Sequence, residues 1–268
     1  MDRYVVIGNP VAHSLSPEIH ARFARLTGEA IAYGRLVVEP GNFVRAARQF
    51  FASGGRGANV TLPFKVEAYE FVKERTPRAE AAGAVNTLAV RGTTVFGDNS
   101  DGAGLVRDLT ANLGLKLSGR RILLLGAGGA ARGVVAPLLA LSPAALVVAN
   151  RTAERARGLA LRFRNSGPIE AVGLDAMGGG FDLVVNATST STRGEPLALP
   201  GGLFAPGAMA YDMAYGRAAQ PFLERGLAAG ARASDGLGML VEQAAESFFL
   251  WRGKRPDTAG VIAELRAA

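Results

Sequence analysis

Three small residues, Gly126, Gly128 and Ala131, have the spacing of a glycine turn that binds a dinucleotide. In such a turn the first residue permits a tight bend, the second lets backbone N–H groups approach a pyrophosphate, and the third must be small for a helix to pack on a strand. The spacing alone also fits an ordinary glycine-rich turn. Here an apolar run at 122–125 precedes the turn and a helical pattern continues to Leu141, which favours the dinucleotide interpretation.

The residues after the next strand indicate which dinucleotide is bound. A second apolar run at 145–149 completes a βαβ unit and is followed by Asn150, Arg151 and Thr152, with Arg155 one helical turn later. A site for NAD usually has Asp or Glu at the end of this strand, and neither stands there. Arginine forms paired, charge-assisted hydrogen bonds with phosphate. The pattern therefore favours NADP as the cofactor, although the two arginines could instead be solvated charges at a helix start.

Lys65 is a candidate for proton transfer. It follows a predicted strand and turn at 57–64 and lies near the predicted start of the next helix. The helix dipole disfavours a cation at that end unless the cation faces an anion, so the position conflicts with a purely structural role. A lysine in such a place can give or take the proton that accompanies hydride transfer. The alternative is an exposed lysine at the edge of a helix.

Hydroxyl side chains near the N-terminus could bind a ligand. Ser14 and Ser16 lie in a turn-rich loop between a strand at 4–7 and a helix that begins near Pro17. Such loops are common ligand sites in α/β proteins, and the two hydroxyls could donate hydrogen bonds to a carboxylate. Ser16 could instead be the N-cap of the helix. His20, inside that helix, is predicted to be a packing or surface residue rather than a catalyst.

A second group of polar residues surrounds a predicted hairpin. Its first strand, at 87–90, is preceded by Asn86, and the hairpin is followed by Asn99 and Asp101. Asp101 could form a turn or cap the helix that starts near Ala103. Its carboxylate could instead position an ammonium group and accept a substrate hydroxyl. Spacing does not decide between these interpretations.

The composition limits the class of protein. The chain has 268 residues, 49% of them hydrophobic, which is enough for about two domains with real cores. It has no cysteine and 2 histidines, which excludes disulfides and thiolate metal sites and argues against a histidine-rich metal site. The net charge of +7 comes from dispersed residues, so we expect no nucleic-acid partner and a field that favours anionic ligands. With no cleavable signal and no uninterrupted apolar span of ~18 residues, we expect a cytoplasmic protein without a membrane partner.

Hydrophobic periodicity predicts further strands and helices in an α/β order. Further strands are predicted at 35–38, 181–186 and 210–213. A helix is predicted over 42–53, with an apolar side formed by Phe43, Ala46, Ala47 and Phe50. Another is predicted over 242–251, and its aromatic residues expected in the core are Phe248, Phe249 and Trp251.

These motifs belong to a longer ordered set. The set is Gly8-Asn-Pro-Val-Ala-His-Ser14-Leu-Ser16-Pro, Asn59-Val-Thr61-Leu-Pro-Phe-Lys65, Gly83-Ala-Val-Asn86-Thr, Gly97-Asp-Asn-Ser-Asp101-Gly, Gly126-Ala-Gly-Gly-Ala-Ala, Asn150-Arg-Thr, Asn186-Ala-Thr-Ser189, Tyr211-Asp-Met213-Ala-Tyr215 and Gly236-Leu-Gly-Met-Leu240-Val-Glu-Gln243. Together these motifs resemble the shikimate dehydrogenase family. The resemblance extends in order over essentially the whole chain.

The resemblance implies a fold and an activity. It implies an N-terminal α/β domain that binds substrate, residues 1–100 with 240–268, and a Rossmann-type doubly wound domain that binds NADP, residues 101–239. The active site is then expected in the cleft between them. The implied reaction is the reversible, NADPH-dependent reduction of 3-dehydroshikimate to shikimate in aromatic amino-acid biosynthesis.

The family's functional residues carry over onto matching positions. The catalytic pair matches Lys65 and Asp101. The residues expected to hold the substrate's carboxylate and hydroxyls are Ser14, Ser16, Thr61, Asn86, Tyr215 and Gln243. The cofactor contacts map to Gly126, Ala127, Gly128, Gly129, Ala130, Asn150, Arg151, Thr152 and Arg155, with Thr188, Met213 and Gly236 nearer the nicotinamide.

The chain also departs from the family pattern. Ser100 stands where the family usually has Thr, which keeps the hydroxyl. Residues 190–193 replace a usual glycine and apolar residue, which leaves the conformation of the 188–194 loop open. Further on, Arg217 and Gln220 replace a usual proline and threonine.

Two alternatives share most of these motifs. One is a quinate or quinate/shikimate dehydrogenase with broader substrate use or with NAD as cofactor. The other is a catalytically silent NADP-binding regulator, which would keep the glycine turn but would have no need for Lys65 and Asp101. The sequence leaves open whether the protein is a monomer or a homodimer.

Overall fold

Two α/β units make up the structure. The computed structural model describes residues 1–193 and 197–267. One unit consists of Met1–Gly104 and Leu240–Ala268, and the other consists of Leu105–Met239. Lys65 and Asp101 therefore belong to the same unit.

The first stretch of the chain alternates strands and helices. Its elements are β1 (Asp2–Gly8), α1 (Ser16–Thr27), β2 (Ile31–Val37), α2 (Phe43–Ala52), β3 (Gly55–Val60), α3 (Lys65–Phe71), β4 (Glu74–Arg75), α4 (Pro77–Ala82), β5 (Thr87–Arg91), β6 (Thr94–Asp98) and α5 (Asp101–Arg107). Local signals set several ends. Gly28 ends α1 in the left-handed conformation, at φ 70°, and the Thr76 hydroxyl accepts the N–H of Ala79 at the start of α4.

The strands of this unit form a 6-stranded mixed sheet in the order β2-β1-β3-β5-β6-β4. Strand β1 runs parallel to β2 and β3, whereas β5 runs antiparallel to β3 and β6. The carboxyl ends of β1, β3 and β6 and the start of β5 therefore lie at one edge of the sheet. Buried side chains on the sheet and helices, among them Ile7, Val60, Phe64 and Leu88, form the core beneath that edge.

The second unit begins with a π-helical turn, Asp108–Asn112, that continues α5. Its further elements are β7 (Arg121–Leu125), α6 (Gly129–Leu139), β8 (Ala145–Asn150), α7 (Ala153–Phe163), β9 (Ile169–Gly173), β10 (Phe181–Asn186), α8 (Thr190–Arg193), β11 (Phe204–Asp212), α9 (Gln220–Ala228) and β12 (Arg232–Ser234). All strand pairs are parallel, in the order β12-β11-β10-β7-β8-β9. Renumbered from β7, this is the doubly wound order 3-2-1-4-5-6 of dinucleotide-binding sheets.

The C-terminal helices α10 (Leu237–Arg252) and α11 (Ala259–Ala267) complete the first unit. Helix α10 packs on α1 through a buried cluster that includes Phe23 and Phe248. At its end, Trp251 donates its indole N–H to the carbonyl oxygen of Leu88 at 3.0 Å. A side chain at Gly57 would meet this indole at 2.4 Å, so only glycine lets the helix approach the sheet there.

Most predicted elements are confirmed, with shifted ends. The strand predicted at 35–38 is β2, which starts at Ile31, and the strand predicted at 210–213 is β11, which starts at Phe204. Helix α6 ends at Leu139 rather than Leu141. In the helix predicted over 42–53, Phe43 and Ala47 are buried and Ala46 and Phe50 pack against them, as expected.

Two side chains test the predictions of burial. The prediction that Phe249 lies in the core is wrong, because its side chain is 51% exposed on α10. His20 is fully buried and stacks on Tyr33 with ring centroids 4.2 Å apart, which confirms a packing role.

Within the described ranges, no helix has both the length and the apolar character needed to span a bilayer. The same residues contain no group of three or more side chains arranged to hold a metal ion.

Candidate active site

One edge of the mixed sheet collects most of the polar residues singled out in the first unit. Strands β1 and β3 are in parallel register, with Ile7 opposite Val60, so the loops that carry Ser14 and Thr61 leave the sheet side by side. Strand β5 starts at Thr87, which pairs with Asn59 of β3 and with Asp98 of β6. Residues that adjoin these strand ends therefore lie at the same edge. The candidate site of this unit consists of Ser14, Ser16, Thr61, Lys65, Asn86, Asp101 and Gln243.

Lys65 and Asp101 form an ion pair at this edge. The Nζ atom of Lys65 lies 2.5 Å from Oδ2 of Asp101, and the side chains are 12% and 6% exposed. Lys65 is the first residue of α3, as predicted, and Asp101 is the anion that it faces. The alternative of an exposed lysine at a helix edge is therefore wrong.

The Asp101 carboxylate is held at both oxygens. Its Oδ1 accepts a hydrogen bond from Nδ2 of Asn86 at 2.8 Å, while Oδ2 accepts from Lys65. Helix α5 begins at Asp101 itself rather than near Ala103, and the side chain of Asn99 accepts the Asp101 N–H at 3.1 Å. Asn99 thus serves the helix start, which leaves the Asp101 side chain to contact Lys65.

Gln243 and Ser100 approach the same amide. Oε1 of Gln243, on α10, lies 3.4 Å from both Nδ2 of Asn86 and Oγ of Ser100. Ser100 is fully buried, and its hydroxyl donates to Oδ1 of Asn86 at 3.2 Å. The Ser100 hydroxyl, which takes the place of the hydroxyl of the usual threonine, therefore forms a hydrogen bond with Asn86.

The loop between β1 and α1, which carries Ser14, excludes one interpretation of Ser16. The N-cap of α1 is Leu15, and Ser16 is the first, buried residue of the helix, so the alternative in which Ser16 caps the helix is wrong. The Ser14 hydroxyl accepts the Ser16 N–H at 3.2 Å, and the two Oγ atoms lie 3.1 Å apart. Thr61 packs closely on Gly8: a Cβ atom added at Gly8 would lie 2.3 Å from the methyl group of Thr61. Gly8 therefore allows these two loops to lie together.

The two aspartates of the Gly97–Gly102 motif have different environments. Asp98 accepts hydrogen bonds from the guanidinium of Arg78 and, at 2.6 Å, from the hydroxyl of Thr76. Burial acts to raise the pKa of Asp98, but the hydrogen bonds and charge of Arg78, with Thr76, bring it below its ordinary value. Sequence spacing gives no sign of the Arg78–Asp98 pair, because its partners meet only through the pairing of β4 with β6.

The second unit has a glycine turn at the carboxyl edge of its sheet. The turn follows β7, at the point where the strand order reverses between β7 and β10. Gly126 has φ +109°, and a side chain there would lie 3.0 Å from the carbonyl oxygen of Ala187. A side chain at Gly128 would meet no atom within 4 Å, so open space lies over this backbone.

These features fit a dinucleotide pyrophosphate. Helix α6 begins at Gly129, with Gly128 as N-cap, and no described side chain caps it. The backbone N–H groups at this helix start are therefore available to an anion, and the dipole favours one. Ala131 is fully buried, as the third position of the turn requires.

The residues after β8 form a short turn and the start of α7, which together carry two arginines. Asn150 turns its Nδ2 toward the carbonyl oxygen of Thr152 at 2.9 Å, which shapes the turn. Arg151 and Arg155 are exposed. The neighbouring carboxylate, Glu154, accepts a hydrogen bond from Arg157 at 3.1 Å.

The expected nicotinamide-side residues meet around a buried amide. Oδ1 of Asn186 accepts the N–H and hydroxyl of Thr188 at 3.1 and 2.7 Å, and its Nδ2 donates to Asp212 at 2.8 Å. Ser191, part of the segment that departs from the family pattern, is buried and donates to the same carboxylate at 2.6 Å. Residues 190–193 thus form α8, and residue 194 lies outside the described residues.

Met213, Gly236 and Tyr215 lie nearby in the same unit. The Met213 N–H donates to the carbonyl oxygen of Asn186 at 2.9 Å. A side chain at Gly236 would meet the Met213 carbonyl oxygen at 2.5 Å, so this glycine is needed for backbone packing. Tyr215 is half-buried, just before a 3-10 turn at Gly216–Ala218.

Comparisons with known proteins agree with these features. Models of shikimate dehydrogenase domains match residues 6–88 (substrate binding domain), 108–193 (shikimate / quinate 5-dehydrogenase) and 236–266 (C-terminal domain). A protein named shikimate dehydrogenase (NADP(+)) from Dechloromonas aromatica is 57% identical to this chain, covering 99% of it and 98% of the relative. This chain belongs to the shikimate dehydrogenase family.

Two solved structures superpose on this chain over nearly its whole length. An Ael1 enzyme from Pseudomonas putida is 43% identical, with a TM-score of 0.89 and coverage of 99% of this chain and 98% of its own. A shikimate 5-dehydrogenase from Thermus thermophilus, in complex with NADP(H) and shikimate, is 34% identical, with a TM-score of 0.85 and coverage of 100% and 99%. The predicted fold class, an α/β substrate domain with a Rossmann-type domain, is confirmed.

Proposed function

We propose that this chain is an NADP-dependent shikimate dehydrogenase, an oxidoreductase that reversibly reduces 3-dehydroshikimate to shikimate in aromatic amino-acid biosynthesis. The observation that carries the proposal is the buried Lys65–Asp101 pair in a chain 57% identical to a protein of that name. The similar T. thermophilus enzyme binds NADP(H) and shikimate. That complex supports both the substrate and the cofactor assigned here.

The proton chemistry is assigned to Lys65 and Asp101. Bound NADP supplies hydride transfer. During reduction, Nζ of Lys65 gives a proton to the oxygen of the ring ketone as it becomes an alcohol, and during oxidation it takes that proton back. Asp101 holds Nζ through Oδ2 and accepts the neighbouring substrate hydroxyl. Removing water from around the pair strengthens these interactions.

The substrate is proposed to bind at the same sheet edge. The hydroxyls of Ser14 and Ser16, which lie 3.1 Å apart, donate to its carboxylate. The ring hydroxyls are held by the amide and hydroxyl groups of Thr61, Asn86 and Gln243, and the family resemblance adds the hydroxyl of Tyr215. The closeness of Asn86 to both Asp101 and Gln243 supports this assignment.

The cofactor is proposed to bind along the carboxyl edge of the parallel sheet. The backbone from Gly126 to Ala130 holds the pyrophosphate, and Asn150 to Thr152 with Arg155 hold the adenosine ribose and its 2′-phosphate. Thr188, Met213 and Gly236 lie nearer the nicotinamide. The open space over Gly128 and the exposure of Arg151 support these assignments. We propose that the enzyme acts in the cytoplasm, where soluble NADPH is available, on small molecules alone.

A second candidate is a dehydrogenase that also uses quinate. It is favoured by the match of residues 108–193 to a model that covers shikimate and quinate 5-dehydrogenases. Quinate shares the carboxylate and much of the hydroxyl pattern of shikimate, so the same residues can hold both.

The test is an assay of reduced nicotinamide formation by the purified protein with shikimate or quinate, each with NADP or NAD. We expect turnover mainly with shikimate and NADP. Preference for quinate or NAD would overturn the specificity and leave the Lys65 chemistry in place. Absence of turnover with all four pairs, together with measurable NADP binding, would favour the silent regulator.

A further inference from the structure

A buried cluster of hydrogen-bonded side chains lies beside the Lys65–Asp101 pair and takes no part in the steps above. Its members, which we call the hydroxyl network, are Tyr33, Asn59, Thr87, Ser100 and Ser247. The last three are fully buried, and Asn59 is 5% exposed. Buried polar groups are costly unless they are satisfied, and a satisfied network fixes one arrangement of its members.

The backbone N–H of Ser100 fixes which way the Asn86 amide faces, and the Thr87 hydroxyl of the network adds a second donor at the same end. One end of this amide accepts the backbone N–H of Ser100 at 2.8 Å and the hydroxyl of Thr87 at 2.9 Å. A backbone N–H can only donate, so this end must be the oxygen. The Nδ2 end is thereby directed at Oδ1 of Asp101, 2.8 Å away. An inverted amide would place its oxygen against the carboxylate.

The other bonds of the network connect Tyr33 to Thr87 through Asn59 and Ser247. The Tyr33 hydroxyl donates to Oδ1 of Asn59 at 2.7 Å, and Nδ2 of Asn59 donates to Oγ of Ser247 at 2.8 Å. The hydroxyls of Ser247 and Thr87 lie 2.8 Å apart. The Thr87 hydroxyl donates its proton to Oδ1 of Asn86, and the Ser247 hydroxyl has two acceptors within reach, Oγ of Thr87 and the carbonyl oxygen of Gln243 at 3.1 Å.

The far end of the network is the Tyr33 hydroxyl on β2. The network therefore joins β2 to the amide that holds Asp101. Its other members lie on β3, on β5, just before α5 and on α10.

We propose that Asn59, Thr87 and Ser247 are positioning residues that hold Asn86, and through it Asp101, in the orientation that proton transfer requires. The role of Asp101 in this inference rests on the proposed function. The network touches neither the glycine turn nor Arg151. Its loss therefore lowers kcat for shikimate oxidation and leaves the affinity for NADP unchanged.

Thr87 offers a pair of variants that separate the hydroxyl from packing. Thr87→Val keeps the shape and removes the hydroxyl, whereas Thr87→Ser keeps the hydroxyl and leaves a small cavity. A matched control is Thr258→Val, because Thr258 is also buried in the first unit and donates to Glu242 at 2.8 Å, outside the network. The three variants and the wild type are compared in kcat, KM for shikimate, NADP affinity and melting temperature.

We expect Thr87→Val to lose about tenfold in kcat, as for one catalytically coupled hydrogen bond, while Thr87→Ser and Thr258→Val stay within about twofold of the wild type. The proposal is overturned if Thr87→Val keeps the wild-type kcat. It is also overturned if the decrease in kcat follows the decrease in melting temperature across all three variants.

A second readout needs no turnover and separates this inference from the proposed function. The side-chain amide resonances of Asn86, assigned in labelled protein without ligands, report the environment of its Nδ2 group. We expect them to shift in Thr87→Val and to return toward the wild-type position in Thr87→Ser. Unshifted resonances in Thr87→Val would overturn the positioning role even if the enzyme is active. Shifted resonances in a protein that does not oxidise shikimate would uphold it and contradict only the proposed function.

Discussion

Asp101 accepts hydrogen bonds from Lys65 on one oxygen, at 2.5 Å, and from Asn86 on the other, at 2.8 Å. The carboxylate is therefore fixed relative to the ammonium group before any substrate arrives. Such preorganisation is what general acid–base catalysis requires, because the reacting proton must be within hydrogen-bonding reach.

The two aspartates of one motif should differ in their effect on catalysis. Asp101→Asn removes the negative charge that faces Lys65 and should lower kcat for shikimate oxidation by at least ~10²-fold, and it should also destabilise the fold because it leaves a mostly buried ammonium group without its counterion. Asp98→Asn should leave kcat within about twofold of the wild type. Asp98→Asn weakens the ion pair with Arg78 and should cost roughly 2–3 kcal/mol in the free energy of unfolding. This is less than the loss for a fully buried pair, because the Arg78 side chain is partly exposed. Steady-state kinetics and urea unfolding of both variants check this. Equal kinetic losses in the two variants would show that the motif acts as a single structural unit.

Cofactor choice should depend on Arg151. Arg151→Ser removes a guanidinium from the proposed 2′-phosphate site and should lower kcat/KM for NADP by about 10-fold or more, while kcat/KM for NAD changes little. The matched control is Arg157→Ser on α7, an exposed arginine that pairs with Glu154. If Arg151→Ser and Arg157→Ser lower NADP use alike, the effect is one of general charge and the assignment of Arg151 is wrong.

The glycine turn should tolerate a methyl group in folding but not in binding. Gly128 has φ −83° and open space around it, so Gly128→Ala should keep the wild-type melting temperature. The added methyl group would occupy the approach of the pyrophosphate and should weaken NADP binding by about 10-fold or more. Gly158→Ala is the control: Gly158 lies in α7 with open space around it, and alanine there should stabilise the helix by about 0.5–1 kcal/mol. Unchanged NADP affinity in Gly128→Ala, measured by fluorescence titration, would place the pyrophosphate elsewhere.

His20 should make stability depend on pH. Burial lowers its pKa from 6.5 to about 3, so between these values the unfolded chain binds a proton that the folded chain does not. Stability from this group is therefore fully present above about pH 6.5 and is lost as the pH falls toward 3. The loss from pH 7.5 to pH 5 should be about 2 kcal/mol.

His20→Phe should remove that part of the pH dependence, whereas replacing the exposed His13 by Gln should not. Urea unfolding of the three proteins at pH 7.5 and pH 5 measures the difference. The same pH dependence in His20→Phe as in the wild type would mean that His20 is not held neutral by burial.

Sequence patterns predict those features that depend on local spacing. The βαβ unit around Gly126 follows from apolar runs and glycines within one stretch, and the position of Lys65 at a helix start follows from the strand and turn before it. The aromatic run on α10 is harder to interpret. Successive helix positions point about 100° apart, and at this turn of α10 the buried side is that of Ser247 and Phe248, so Phe249 is 51% exposed.

The features that sequence could not predict join distant parts of the chain. Asn59 and Ser247 are 188 positions apart and meet only because α10 returns to the first unit. The Arg78–Asp98 pair likewise depends on strand pairing. The pairing of Lys65 with Asp101, 36 positions apart, is implied by family resemblance and not by spacing, because no local rule links two loops across a sheet edge.

The most direct test of the account is the steady-state kinetics of Lys65→Met in the NADP-linked oxidation of shikimate. Methionine keeps much of the apolar stem and removes the group that transfers the proton. The account predicts that kcat falls by about 10²–10⁴-fold, while KM for shikimate and the affinity for NADP change far less. A variant that keeps wild-type kcat and shows only a raised KM would make Lys65 a binding residue and contradict the proton-transfer role at the centre of the proposed function.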